Sequence, residues 1–216
     1  MNLADRVCRW VTAIKKSERG RLNVFLDGEP SLSVASEVAT GQRLKVGQHL
    51  SLRQLESLAM TDGVYEAQQV AVRHLGYRPR SDREIRDRLR RGGFSPDIIG
   101  TVMARLKELG LVDDVAFARF WRESRDSRRP SSRWLLRQEL RRKGINSEII
   151  DEIVQNVDEE SGACETASKK ARSLGTCDEG TFHRRLESFL RRRGYGYELT
   201  RRVVERLWLE RLTNQE

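Results

Sequence analysis

The hydrophobic positions of the chain follow a helical pattern that occurs three times. In each copy two apolar residues lie four positions apart on one face of a predicted helix, and a second such pair follows in the next helix. The first pairs are Ile85 and Leu89, Leu136 and Leu140, and Leu186 and Leu190. The second pairs are Ile98 and Val102, Ile149 and Ile153, and Leu199 and Val203. Because Leu140 lies 51 residues after Leu89 and 50 residues before Leu190, the pattern predicts a threefold repeat.

The residues between the paired helices predict the same turn in every copy. Each first helix ends on cations, which suit its partly negative C-terminus. Gly93, Gly144 or Gly194 then supplies the left-handed residue that closes many helices. One apolar residue and an N-cap position follow, and the N-cap residues are Ser95, Asn146 and Gly196. Each copy therefore predicts two helices joined by a short, capped turn.

We expect a mainly α protein of three tandem three-helix modules in an elongated arc, preceded by a small β-rich N-terminal cap. The cap spans residues 1–62, and the modules span 63–110, 111–157 and 163–212. Alternating apolar residues and turns predict cap strands at 11–16, 22–26 and 31–34. Short helices are predicted at 36–40 and 51–60, and the first module opens with a helix at 64–75. Residues 157–162 are predicted to form a flexible link before the third module.

Composition and charge indicate which class of partner such a protein would bind. The 216-residue chain is 34% charged and only 6% aromatic, which is typical of amphipathic helices with narrow apolar stripes. Its net charge is +9, and residues 63–216 carry +7 of it, with 32 Lys or Arg against 25 Asp or Glu. This excess indicates a polyanion or an acidic protein surface as partner, and a merely solvated helical surface is the alternative. We expect a cytoplasmic protein, since no apolar run is long enough to span a membrane and no signal-peptide segment is present.

Catalytic and metal-binding patterns are absent from the sequence. There is no phosphate-binding G-x-x-x-x-G-K-[ST] loop, and the three histidines are scattered without nucleophile or carboxylate partners at motif spacing. The adjacent Asp113 and Asp114 suit a helix N-terminus better than a metal site, because no third ligand follows. Three cysteines without C-x-x-C spacing are expected to be reduced thiols. We therefore expect a binding protein that needs no cofactor or metal.

The candidate binding residues are the cations that recur at one place in each module, and those around them in the second module. Compensation of the helix dipole is the structural alternative, at roughly 0.3–1 kcal/mol per cation. One cation would meet that need, whereas each module has two or three. Their contact could be DNA phosphate or protein carboxylate, since both are oxyanions. The candidates are Arg90, Arg91, Arg128, Arg129, Arg133, Arg137, Arg141, Arg142, Lys143, Arg191, Arg192 and Arg193.

Three segments of the repeat region resemble the RecX family of bacterial recombination regulators. They are Leu75–Glu84, Leu109–Ala118 and Arg137–Ile145, and the resemblance covers about residues 66–212, with the middle repeat strongest. It implies tandem three-helix modules that bind the RecA recombinase and the RecA–DNA filament. It further implies that the protein restrains ATP hydrolysis and strand exchange by RecA, and that single- or double-stranded DNA is a partner.

Three hypotheses follow for the function. The preferred one is a non-enzymatic filament regulator that binds RecA as a monomer and bridges neighbouring subunits of the filament. A second is a DNA-binding regulator, because three-helix modules resemble helix-turn-helix units. The arginine runs lie at helix C-termini, however, whereas recognition helices usually present N-terminal residues to bases. The third is a helical scaffold for another protein.

Overall fold

The structure, a computed structural model, describes residues 8–17, 20–128 and 130–213, with only the backbone of Arg128. It divides the chain into two units. The first unit contains the chain up to residue 78 together with residues 85–111, and the second contains residues 79–84 together with residues from 112 onward. The secondary structure is mainly helical, with a small N-terminal antiparallel sheet, as the sequence predicts.

The sheet of the first unit has four antiparallel strands in the order β3-β2-β1-β4. The strands are β1 (Cys8–Lys16), β2 (Arg21–Leu26), β3 (Glu29–Ala35) and β4 (His49–Ser51), and a short helix α1 (Ser36–Gly41) follows β3. Along β2 the fully buried Val24 and Leu26 alternate with Asn23 and Phe25, which are exposed or half-buried. This alternation is that of a sheet with one face packed against a core.

Helix α2 (Leu52–Leu75) joins the sheet to the first repeat. Ser51 caps it, and the side chain of Gln54 returns a hydrogen bond to the Ser51 amide at 2.8 Å. Its first part packs on β3 and β4 and its later part on α4 (Pro96–Glu108). At Gly63 a methyl group would come within 2.6 Å of Cδ1 of Ile98, so this glycine permits the close approach of α4.

The N-terminal region differs from the prediction in two details. The predicted helices at 51–60 and 64–75 are one continuous helix, and within it the polar Asp62 is accommodated by contacts from outside the helix. Asp62 accepts hydrogen bonds from the amide of Ala35 at 2.7 Å and from the guanidinium of Arg21. Strand β4 was not predicted, since its three residues show no alternation of their own and pair only with β1.

Each apolar pair of the sequence pattern lies within one of the repeat helices. These helices are α3 (Asp82–Arg91), α4, α5 (Asp114–Arg128), α6 (Arg133–Arg142), α7 (Ser147–Gln155), α8 (Glu159–Arg172), α9 (Glu179–Arg192) and α10 (Tyr197–Thr213). The predicted flexible link at 157–162 is wrong, because α8 begins at Glu159. The carboxylate of Asp158 accepts a hydrogen bond from the Ser161 amide at 3.0 Å and so caps this helix.

The second unit contains two hydrophobic clusters, one for each of its three-helix groups. In α5–α7 the buried side chains include Phe117, Leu136, Leu140 and Ile150. In α8–α10 they are Ala163, Ala167, Phe182, Leu186, Leu190, Tyr195, Val203 and Val204. The leucine pairs of the sequence pattern thus lie in these two cores. The exact boundaries of the modules stay a prediction.

A junction of the same construction occurs twice in the second unit. Ser81, which precedes α3, accepts a hydrogen bond from the Glu84 amide at 3.2 Å and donates its hydroxyl to the carbonyl oxygen of Lys143 at 2.8 Å. Ser132, which caps α6, donates in the same way to the carbonyl oxygen of Arg193 at 2.9 Å. Each serine therefore connects the start of one helix to the end of a helix about 60 residues later.

The glycine after each accepting carbonyl is part of the junction. Gly144 and Gly194 have φ angles of +80° and +79°, in the left-handed region. A methyl group at Gly144 would lie 2.6 Å from Cδ and 2.7 Å from Cβ of Arg83. At Gly194 it would lie 2.6 Å from Cε3 of Trp134 and 2.7 Å from Oγ of Ser132. Both positions therefore require glycine, because of the left-handed φ angle and because of the close side chain of Arg83 or Trp134.

Candidate polyanion-binding surface

The last turns of α3, α6 and α9 carry the recurring cations. Leu89, Leu140 and Leu190 are fully buried in these turns. The two residues after each leucine therefore point away from the core, because successive residues are about 100° apart around a helix. Arg90, Arg91, Arg141, Arg142, Arg191 and Arg192 are all exposed. The repeat thus places a pair of exposed arginines at equivalent positions of three helices.

The two arginines of α3 make contacts within their own helix. The guanidinium of Arg90 lies 2.9 Å from Oδ1 of Asp87, three residues earlier. Nε of Arg91 donates to the carbonyl oxygen of Asp87 at 3.1 Å. An exposed pair of this kind contributes little to stability, typically 0–1 kcal/mol. Its main effect is to reduce the charge that this helix end offers to a partner.

Arg133 and Arg137 have structural contacts that the sequence interpretation did not include. Nε and Nη2 of Arg133 donate to the carbonyl oxygen of Val157 at 3.2 and 2.9 Å. Its amide donates to Oε1 of Glu159 at 2.9 Å. Arg137 forms an ion pair with Asp151 at 2.8 Å. The two side chains therefore connect α6 to α7 and to the start of α8.

Lys143 is the strongest example of a cation used inside the fold. Its ammonium lies 2.6 Å from Oε1 of Glu84 and 4.7 Å from the ring centre of Trp121. Both members of the ion pair are mostly buried, with side-chain exposures of 27% and 18%. The indole nitrogen of Trp121 in turn donates to Glu139 at 2.8 Å, and Arg125 contacts the same carboxylate oxygen at 2.9 Å. Lys143 therefore belongs to the first junction.

The equivalent residue of the third repeat, Arg193, also turns towards an aromatic ring. Its guanidinium carbon lies 4.9 Å from the ring centre of Phe189. Arg192, one residue earlier, donates to the hydroxyl of Ser188 at 2.5 Å and stays exposed. Lys143 and Arg193, the last cations of the basic runs in the second and third repeats, are therefore engaged in contacts within the fold.

Three candidates remain exposed and without a partner. Among the described residues, the side chains of Arg141, Arg142 and Arg191 form no hydrogen bond, ion pair or ring contact, and we call them the unpaired arginines. Arg129 lies outside the described residues, as does the side chain of Arg128. A guanidinium without a carboxylate partner can form two parallel hydrogen bonds to a phosphate or carboxylate. Of the candidates, the unpaired arginines are therefore the cations best placed to bind an anion.

Sequence interpretation missed one residue beside these cations, Trp134. The side chain is 55% exposed, although it follows the capping Ser132 by only two residues. The signal was present, because Trp134 and the buried Leu136 are two positions apart and so lie on nearly opposite sides of α6. Tryptophan is enriched among the residues that carry most of the binding energy at interfaces, so this indole is a candidate contact for a partner.

The described part of the chain also bears on metal binding, membrane insertion and thiol reactivity. No group of three or more His, Cys, Asp or Glu side chains that could hold a metal ion occurs there. No described helix combines the length and the apolar character needed to cross a membrane. Burial raises the pKa of the Cys164 thiol, which the nearby Arg206 only partly opposes. This thiol is therefore a poorer nucleophile than an ordinary cysteine.

Comparison with known proteins agrees with this architecture. The model of the first three-helix domain of RecX matches residues 67–106, and the model of the second matches residues 113–153. A regulatory protein RecX from Amycolatopsis mediterranei is 38% identical over 143 residues, which cover 65% of this chain and 82% of that protein. The chain belongs to the RecX family of regulatory proteins.

RecX relatives match most of the chain beyond these two domains. A regulatory protein RecX from Clostridium botulinum (strain Eklund 17B / Type B) is 27% identical over 197 residues, which cover 89% of this chain and 92% of the relative. A RecX crystal structure superposes with a TM-score of 0.69 at 22% identity, covering 91% of this chain and 99% of that one. RecX from Lactobacillus salivarius gives 0.61 at 20% identity, covering 69% and 99%. These two structures support the fold.

Proposed function

We propose that this RecX protein is a non-enzymatic regulator that binds the RecA recombinase and its filament on DNA in the cytoplasm. In this proposal it inhibits ATP hydrolysis and strand exchange by RecA. The observation that carries the proposal is its RecX membership, with a relative named as a regulatory protein matched over 92% of that relative's length. The repeated helices and their unpaired arginines support it, because they offer anion-binding groups at two equivalent helix ends.

The unpaired arginines are the proposed contacts to the filament. Each projects from the last turn of α6 or α9, whose preceding leucine is fully buried, so the backbone beneath it is fixed by the core. An arginine on a fixed backbone loses only side-chain freedom on binding, whereas one on a loop loses backbone freedom as well. Both constituents of the filament offer oxyanions, as phosphates on DNA and carboxylates on protein. We therefore assign the regulatory contact to these arginines in preference to Arg133, Arg137 and Lys143.

The direct test is the DNA-dependent ATPase of RecA. Amounts of the protein well below one per RecA subunit should lower the rate, because one bound molecule affects a cooperative filament beyond its own footprint. Combined replacement of Arg141, Arg142 and Arg191 by Gln should remove most of this inhibition. Unchanged rates with folded wild-type protein at equimolar amounts would refute the proposal.

A matched control separates specific contact from overall charge. Arg105, Arg119 and Arg202 are also exposed, but they lie 3.2, 3.5 and 3.6 Å from Glu108, Glu152 and Glu160. Their combined replacement by Gln removes the same three positive charges and leaves the unpaired arginines in place. We expect this control variant to inhibit RecA almost as well as the wild type. Equal loss in both variants would instead assign the effect to net charge.

A further inference from the structure

Trp134 has an exposed ring that is nevertheless held in place. Cε3 of the indole approaches Gly194 so closely that a methyl group there would lie 2.6 Å away. The backbone beneath it is fixed as well, because Ser132 caps α6 through the Leu135 amide at 3.1 Å and joins Arg193 at 2.9 Å. The ring therefore has one part against the end of α9 while 55% of the residue faces solvent. It forms a rigid aromatic surface.

An unpaired cation belongs to the same turn. Gly194, which the indole contacts, donates its amide to the carbonyl oxygen of Arg191 at 2.9 Å. Arg191 is exposed and forms no ion pair within the described residues, whereas Arg193 is turned towards Phe189. The end of α9 thus carries an unpaired arginine, three residues before the glycine that the exposed indole contacts.

The preceding junction has the same construction. Arg83 occupies the position equivalent to Trp134, 51 residues earlier, and its side chain lies against Gly144 as the indole lies against Gly194. Arg83 is exposed, and the unpaired Arg141 and Arg142 end the helix that Gly144 closes. Both junctions therefore combine an exposed planar group with free arginines, although only the second has an aromatic ring.

The charge of the two helices and the exposed ring together match a single-stranded nucleic acid. Helix α6 carries four arginines against one glutamate, and α9 carries four against two. Proteins that bind single strands combine such a cationic surface with aromatic rings on which unpaired bases stack. A duplex cannot use the ring in this way, since its bases are already stacked on one another. The exposed indole therefore selects single strands over duplexes.

We propose that Trp134 is a base-stacking residue of a single-stranded nucleic acid site, in which Arg191 binds the adjacent phosphate. The site lies at the junction of α6 with the end of α9 and is independent of RecA. The proposal rests on the proposed function for its nucleic-acid partner and deepens it by naming the residues that hold the strand. The preceding junction has exposed arginines at Arg83, Arg141 and Arg142 but no second stacking ring.

The experiment measures binding of oligothymidine to the full-length protein by fluorescence anisotropy and by quenching of tryptophan emission. Trp134→Leu keeps an apolar contact with Gly194 but removes the aromatic face, and it should raise the Kd about 5- to 150-fold. Its salt dependence should be unchanged, because no cation is lost. Trp134→Phe keeps a ring, so its Kd should stay within a few-fold of wild type while most of the quenching disappears. Binding of duplex DNA should be the same in all three proteins.

Trp10→Phe is the matched control, because Trp10 is 51% exposed and belongs to the other unit. This variant should keep both the affinity and the quenching by oligothymidine. The proposal is refuted if Trp134→Leu binds oligothymidine as tightly as wild type, whether or not it still inhibits RecA. It is also refuted if Trp134→Phe retains full quenching, a result that can be obtained even if Trp134→Leu fails to fold. Failure of RecA inhibition with normal oligothymidine binding would refute the proposed function alone.

Discussion

The junction glycines allow a sharp test of how tightly the repeats are connected. Gly93, Gly144 and Gly194 occupy equivalent positions and have φ angles of +82°, +80° and +79°. Alanine at any of them adopts the left-handed region at a cost of about 1–2 kcal/mol. A methyl group at Gly93 meets no described atom within 4 Å, whereas at Gly194 it would lie 2.6 Å from the Trp134 ring and 2.7 Å from Oγ of Ser132. The three alanine variants therefore differ mainly in which neighbouring atoms the added methyl group meets.

Gly194→Ala should destabilise the protein more than Gly93→Ala by about 1–3 kcal/mol, the usual effect of adding a carbon to a packed site. The methyl group has to displace the hydroxyl that joins Ser132 to Arg193, so the cost includes part of that hydrogen bond. Gly144→Ala should resemble Gly194→Ala, because the Cβ of Arg83 is only 2.7 Å from the added group. Replacing glycine by alanine also stabilises the protein by lowering the conformational entropy of the unfolded chain. This effect is the same for all variants, so it cancels when their free energies of unfolding are compared.

Urea unfolding followed by circular dichroism measures the difference. Gly175→Ala is a second control, since Gly175 lies in the same unit as Gly194, has a φ of +57° and has no described neighbour within 4 Å of an added methyl group. The comparison of Gly175→Ala with Gly194→Ala stays valid even if the two units unfold separately, because both glycines lie in the second unit. Equal destabilisation by Gly194→Ala and by both controls would refute the account of a closely packed junction.

Two further predictions concern individual side chains. Replacement of Arg141 and Arg142 by Gln should flatten the salt dependence of single-strand binding by up to about 1.4 in log K per log salt, at ~0.7 per phosphate contact. Lys143→Gln should leave that slope nearly unchanged and lower the free energy of unfolding by ~1–2 kcal/mol, because it removes a mostly buried ion pair and a cation–π contact. Burial raises the pKa of Tyr195, so the stability due to its protonated hydroxyl is fully present below the unfolded-state pKa of about 10. That stability is lost as the pH rises through the folded-state pKa, and chemical unfolding at alkaline pH should show a loss in wild type that Tyr195→Phe lacks.

Each of these two predictions has a clear contrary result. If Lys143→Gln changes the salt slope as much as the double arginine variant, Lys143 contacts the polyanion and its ion pair with Glu84 opens on binding. If wild type and Tyr195→Phe respond equally to alkaline pH, the ionisation of Tyr195 does not differ between the folded and unfolded chains. Melting and binding must be measured on the same preparations, so that a loss of fold is distinguished from a loss of contact.

The repeat helices could be predicted because their signals are local. Leucine pairs four residues apart and a glycine after the last cation depend on neighbours within one or two turns. The continuous helix α2 could not, because Asp62 and Gly63 resemble a break in the sequence. Their fit depends on Ala35 and Ile98, which are distant in the chain.

The roles of the individual cations likewise could not be predicted from the sequence. Arg142 and Lys143 are adjacent and alike in charge, yet one is exposed without a partner and the other contacts Glu84, 59 residues away. Residue type at the end of a helix therefore predicts a basic surface but not which cations are available to a partner. Trp134 is different, because its position opposite Leu136 was sufficient to predict that it faces solvent.

The serine junctions also determine in which direction the repeat series can grow. Counting 50 residues on from Ser132 leads to Phe182, which is buried, and α9 begins earlier, after Asp178. The third repeat thus has no hydroxyl with which to engage a following module, while an added methyl group at Gly93 meets no described atom within 4 Å. A duplicated module could be received before the first repeat but not after the third.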